Sequence, residues 1–196
     1  MTPASGLDDP ALAAELRKRA VRDQEVRAAG GTTPEKLERW RAVDAGNARW
    51  MREVLREHGW PGRRLVGYQG VADAALLVQH ADGDRELQRL GLGLLVETVD
   101  AGDAAPNHVA YLVDRLHLHR GTPQRYGTQY ARDVSGAYRM LPVDEPAGLD
   151  GRRRSLGLEP VAAFERRLAA MHGAEVLTDA RDAEPVSSAG TEQGWH

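Results

Sequence analysis

Cysteine is missing from this chain of 196 residues, which excludes disulfides, a thiolate nucleophile and thiolate-bound metals or clusters. Lysine occurs only at positions 18 and 36 and phenylalanine only once. No apolar run is long enough to span a membrane. Met1 to Asp9 lacks a basic segment followed by an apolar one, so a cytoplasmic location is expected rather than export by a signal peptide. The formal net charge is −3, and Asp179, Asp182, Glu184 and Glu192 against Arg181 account for it, leaving the preceding body near neutral. Binding of nucleic acid through a broad basic surface is thereby disfavoured. There is no GxxxxGK[ST] loop and no GxGxxG after a strand, and Gly91-Leu92-Gly93 falls inside a helical pattern, so neither common route to nucleotide binding is supported. No serine stands in a GxSxG context. No Glu-x-x-His pair offers a helical di-metal site.

What remains is a pattern of helices. Asp9-Pro10 is an N-cap followed by proline at the first helical position, and Leu12, Leu16 and Ala20 form the stripe of a first helix ending at Gly30-Gly31. Thr33-Pro34 starts a second, running to about His58 with Leu37, Trp40, Val43, Met51, Val54 and Leu55 as its apolar face. Gly59-Trp60-Pro61-Gly62 breaks the chain, and Leu65 to Gln69 reads as a short extended link. A third helix from near Val71 is apolar nearly all round, the mark of a buried element. A fourth spans Leu87 to Val99. A fifth carries Val109, Leu112, Val113 and Leu116 before LHLH switches to strict alternation, which predicts a strand. QRYGTQY and Ala137 to Val143 supply two more strands, then Asp150 to Leu156 and Pro160 to Met171 return to helix. The expected fold is α+β and mostly helical, a helical bundle core with a small antiparallel three-stranded meander after the fifth helix. One globular domain over residues 8–172 is expected, followed by an acidic, disordered tail over 173–196.

Polar residues interrupt these apolar faces, and they are the candidates for a site. Asp23 and Arg27 fall on the stripe of helix one at the i, i+4 spacing that lets them pair. Asp44 and Asn47 sit in the middle of the stripe of helix two. His80 lies on the nearly wholly apolar third helix. Asp114 and Arg115 stand at the predicted helix-to-strand junction, with Tyr126 and Gln129 on the strand that follows. Buried polar groups must find partners or water. A purely structural lock, such as Arg27 with Asp44, would satisfy some of them, whereas a shared pocket would gather them for chemistry. His117 and His119, on one face if LHLH is a strand, would need a third ligand such as His80 or Asp114 to hold a metal, and no native metal site is expected.

Asp23-Gln24 with Arg27, Asp44 with Asn47, Gly59-Trp60-Pro61, Gln79-His80, Asp114-Arg115, Tyr126-Gly127-Thr128-Gln129, and Asp150 with Arg153 together resemble a family of small bacterial proteins known as a domain of unknown function. The resemblance runs from about Leu12 to Leu168. It implies no settled activity, and it implies that the positions of His117 and His119 are ordinarily filled by unrelated side chains.

These residues suit a small enzyme that needs no cofactor and uses general acid and base chemistry, a hydrolase, lyase or isomerase acting on a small polar or carboxylated metabolite. His80 would be the acid or base and Asp114 or Asp44 would orient it or share proton transfer. Arg115 or Arg27 would clamp an anionic group, while Asn47, Asp23, Tyr126 and Gln129 would bind the substrate. The alternative is a non-catalytic module that binds a ligand or peptide, a regulatory or toxin-immunity protein. Neither a nucleic acid nor a membrane is an expected partner, and nothing in the sequence fixes the oligomeric state.

Overall fold

The computed structural model describes residues 7–29, 33–133 and 135–177. The expected helix end at Gly30-Gly31 and the acidic tail from Thr178 lie outside the described residues. Among the described residues the fold is α+β and mostly helical, with seven α-helices and one small sheet that follows the fifth helix. Among the described residues no helix is long and apolar enough to cross a membrane. The chain divides into two units, one ending at His108 and the other starting at Val109.

The first unit contains α1 (Pro10–Ala28), α2 (Pro34–His58), α3 (Arg63–Gln79) and α4 (Arg85–Asp100). Asp9 caps α1 by accepting the Leu12 N–H at 2.8 Å, with Pro10 at the first helical position. Helix α1 packs chiefly along α3. Leu12, Leu16 and Ala20 meet a core built from Met51, Val54 and Leu55 of α2, Val71, Ala74, Leu77 and Val78 of α3, and Leu87 and Leu95 of α4. The stretch expected as an extended link is instead a first helical turn of α3. Gly67 interrupts it at φ 74°, a conformation that costs glycine nothing and an L side chain a clash with its own backbone. The apolar periodicity starts only beyond that break, which is why the turn was not legible. Asp84 caps α4, its Oδ1 accepting the Leu87 N–H at 3.1 Å.

The second unit takes in α5 (Asn107–His119) from Val109 onward, β1 (Tyr130–Arg132), β2 (Tyr138–Met140), α6 (Leu149–Ser155), α7 (Val161–His172) and β3 (Val176–Leu177). Its core gathers Tyr130, Tyr138, Phe164 and Leu168, with Tyr111, Met140 and Val176 packed against them. The sheet departs from the expected meander. LHLH continues α5, because Leu112 and Leu116, one turn apart, keep a buried helical face as far as its first residue and four alternating residues cannot outweigh that stripe. Most of QRYGTQY is loop, with Gln124 forming an isolated bridge to Val143. The order is β1-β2-β3, β1 antiparallel and β3 parallel to β2. Strand β3 falls inside the segment expected as tail. Tyr138 N–H donates to Glu175 O at 2.8 Å, tying that segment to β2.

Candidate functional site

In the first unit, three helices bring Asp23, Arg27, Asp44 and His80 together. Asp23 continues the buried stripe of α1 beyond Ala20 and is fully enclosed. His80 is the C-cap of α3 rather than an interior residue. The Nδ1 of His80 lies 2.8 Å from Asp23 Oδ2, which also accepts from Gln24 Nε2 at 2.9 Å. The other oxygen, Oδ1, accepts from Arg27 Nη1. Burial opposes ionisation of Asp23, yet the hydrogen bond and charge of His80, with Arg27 and Gln24, hold its carboxyl below the ordinary value.

Arg27 bridges two acids. Its Nη2 donates to Asp44 Oδ1 at 3.1 Å and Oδ2 at 3.2 Å, and its guanidinium lies 4.7 Å from the centre of the Trp40 ring. Both pairings anticipated from spacing are therefore made. Asp44 nonetheless titrates far above an ordinary aspartate. Burial pushes its carboxyl up to about 7, and the charges of Asp23 and Asp82 add to that while Arg27 resists. The physical reason is that one guanidinium is shared between two carboxylates, so it cannot repay the desolvation of both. A carboxyl that exchanges its proton near neutrality thus stands one guanidinium away from a carboxylate that orients an imidazole.

The geometry alters the roles expected of individual residues. Asp23, expected to bind substrate, lies against the His80 Nδ1 instead. Arg27, expected to clamp a substrate anion, has its guanidinium engaged by two protein carboxylates. Asn47 is buried one turn along α2 from Asp44, and its Oδ1 accepts from Arg19 Nη1 at 3.3 Å. Gln88 was not anticipated. It is fully buried on α4, and its Nε2 donates to Gln79 O at 3.0 Å and Asp82 Oδ1 at 3.2 Å, fixing the residues on either side of His80 and Ala81. A glutamine beside Leu87 on a leucine-rich helix was the signal that could have found it.

In the second unit Asp114 and Arg115 lie within α5, both buried, and not at a helix-to-strand junction. The Asp114 carboxylate gathers the loop that follows. Its Oδ1 accepts the N–H groups of Arg125 at 2.7 Å and Tyr126 at 2.9 Å. Its Oδ2 accepts the Thr128 N–H at 3.0 Å and hydroxyl at 2.9 Å. Burial pushes this carboxyl above its ordinary value, opposed by those same donors. Four bonds fill the acceptor capacity of a carboxylate. From the other side Arg153 donates to the carbonyls of Tyr126 at 2.7 Å, Gly127 at 3.0 Å and Glu159 at 2.7 Å. Between these anchors Gly127 takes φ 62°, with Leu149 Cδ2 3.1 Å from where a Cβ would lie. Tyr126 thus enters the network through its backbone. Gln129 is fully buried, its Nε2 donating to Thr128 Oγ1 at 2.9 Å. His117 and His119 are two positions apart on a helix, so their side chains diverge and the strand argument for a shared metal does not apply. The Nδ1 of His117 lies 3.0 Å from Pro123 O.

No curated protein and no solved structure matches this chain. Residues 6–177 match the model of a family of unknown function, DUF6624, and the chain belongs to that family.

Proposed function

We propose that this chain is a small cytoplasmic enzyme that works without a cofactor, using general acid and base chemistry on a small polar or carboxylated metabolite. The observation that carries this reading is the His80 Nδ1 contact with Asp23 Oδ2 at 2.8 Å, with Arg27 linking the same Asp23 to Asp44, whose carboxyl exchanges its proton near pH 7.

A carboxylate on Nδ1 holds the proton on that nitrogen, fixes the ring and stabilises the imidazolium once formed. In this reading His80 takes the proton from substrate and Asp44 delivers one, because its raised pKa keeps the acid form populated at neutral pH. Arg27 stays bonded to both acids, so its charge is felt by Asp23 and Asp44 together. Clusters in which burial and neighbouring charges drive two carboxyls apart are found at functional sites more often than elsewhere. Asp114, with its acceptor capacity committed to the loop, serves here as a positioning residue for backbone, not as a proton-transfer group.

The test is a turnover screen. The full chain is incubated with a mixture of small carboxylated and hydroxylated metabolites, and their proton NMR spectra are followed. Consumption of one compound by the wild type and not by His80→Gln is the expected result. If the wild type consumes nothing, or His80→Gln consumes the same compound equally fast, the acid and base reading fails. Arg27 tied between two acids also fits a purely structural lock, in which case the same substitution lowers stability and no compound disappears.

A further inference from the structure

His80 leaves α3 at its C-cap with φ −83° and ψ 2°, so the direction of its side chain is set by the turn that follows as well as by the helix. The peptide joining Gln79 to His80 is one planar unit, and both its polar groups are taken. The His80 N–H donates to Leu76 O at 3.0 Å. The Gln79 carbonyl accepts from Gln88 Nε2 of α4, also at 3.0 Å. Carbonyls in the last turn of a helix find no acceptor's partner within it, and here another helix supplies the donor.

Gln88 is committed to this turn. Its Nε2 also donates to Asp82 Oδ1 at 3.2 Å, so both amide hydrogens are used, and two oxygen acceptors fix which end of the amide faces the turn. Gln88 is fully buried, and among the described residues its Oε1 has no donor. An unmet buried acceptor offsets what the two bonds gain, so their net contribution is to geometry more than to stability. The far end of the turn is held by α2, where Arg52 grips the Asp84 carboxylate through Nε and Nη2. The Arg52 side chain is 41% exposed, and water competes for that contact, whereas Gln88 is shut away from solvent. The ring of His80 meets Asp23 of α1. Helix α4 therefore holds the peptide of His80 while α1 holds its ring.

We propose that Gln88 is a positioning residue for His80, fixing the turn so that Nδ1 stays on Asp23. Its link to a reaction rests on the reading of His80 as acid or base, while its hold on the ring does not. A general base works only within hydrogen-bond reach of the proton that it takes, and a displacement of about 1 Å can cost about a hundredfold in rate. With both donors spent on the turn, Gln88 acts through His80 alone.

The Nδ1 proton of His80 reports that hold directly. In the full chain, carrying isotope-labelled histidine, its NMR signal is identified as the one missing from His80→Gln. Its exchange with water is measured in wild type and in Gln88→Met, which keeps the length of the side chain and loses both donors. The expected result is exchange at least about tenfold faster in Gln88→Met, with the backbone amides of Leu16 and Met51 in the same unit unchanged, the mark of a local opening. Unchanged exchange of the Nδ1 proton overturns the proposal. Acceleration of all three signals by one factor overturns it equally, because that is a loss of overall stability and not of position. If Gln88→Met does not fold, Asp82→Ala decides, since it removes one of the two contacts at a half-buried position. Faster exchange of the Nδ1 proton alone is expected there, and no change overturns the proposal. On a compound found by the turnover screen, kcat for Gln88→Met is expected to fall at least about tenfold with KM within about twofold, and an unchanged kcat overturns the positioning role. A loosened Nδ1 proton in a chain that turns over no compound keeps the hold of Gln88 and loses the acid and base reading.

Discussion

His80 Nδ1 and Asp23 Oδ2 are 2.8 Å apart, joining the C-cap of α3 to the buried face of α1. The same carboxylate accepts from Arg27, so two donors of opposite origin in sequence converge on one fully buried acid. Removing that acid leaves a guanidinium and an imidazole without the group that brought them inside. Asp23→Ala is expected to cost about 3 kcal/mol, the scale for breaking a buried ion pair from one side. Urea unfolding at pH 7 measures it, and a loss below about 1 kcal/mol, the scale of a surface pair, contradicts the network as described.

Asp44 gives the stability a pH dependence of unusual sign. Its folded pKa of about 7 lies above the ordinary value of 3.8, so between those values the folded chain holds a proton that the unfolded chain has released. Stability from this group therefore falls as pH rises from about 4 to 7, with a slope of at most about 1.4 kcal/mol per pH unit. Asp23, held below its ordinary value, acts oppositely, and its contribution is lost only as pH falls below that value. The expected result is that Asp44→Asn flattens the decline between pH 5 and 7, read as the difference in urea midpoint from wild type. Parallel curves for the two proteins rule out a raised Asp44.

Asp114→Ala removes an acceptor of four hydrogen bonds from a buried loop. The expected loss is about 3–4 kcal/mol, near the upper end for single substitutions. Native-state hydrogen exchange should show the amides of Arg125, Tyr126 and Thr128 opening first. Protection unchanged at those three amides would mean that the loop is held by other contacts.

Deletion from Ala174 onward is expected to destabilise the second unit. Val176 packs against the core of Tyr130, Tyr138, Phe164 and Leu168, and β3 is hydrogen-bonded to β2. Losing both should lower stability by about 2 kcal/mol. A chain ending at Leu177 keeps these contacts and serves as the reference in a thermal melt. Equal transitions for the two truncations contradict the account of β3.

The helices were legible in the sequence because caps and apolar stripes agree. Asp9-Pro10 and Thr33-Pro34 mark starts, and Leu12, Leu16 and Ala20 mark a face. Polar interruptions were legible too, and the Asp23 with Arg27 and Arg27 with Asp44 pairs follow from spacing and depth. What the sequence withheld was set by tertiary contact. LHLH is too short a pattern to reveal that α5 continues. Strand β3 is two residues whose partner lies far back in the chain. That Asp23 meets His80 depends on how α1 packs on α3, and no local pattern carries it. Gln88 stands out as a glutamine on a leucine-rich helix, but that its partners are Gln79 O and the Asp82 carboxylate depends on how α4 packs against the end of α3.

The central claim is that His80, oriented by Asp23, moves a proton in a reaction. It is tested most directly by kcat/KM for His80→Gln and for wild type, on the compound that the turnover screen identifies, with circular dichroism confirming that both are folded. Glutamine keeps a polar side chain in the cap but cannot exchange a proton. The account predicts a fall of about a thousandfold, within the usual range for a general base, and a folded spectrum like that of wild type. A folded His80→Gln within about twofold of the wild-type rate, where a general base should cost far more, would contradict it.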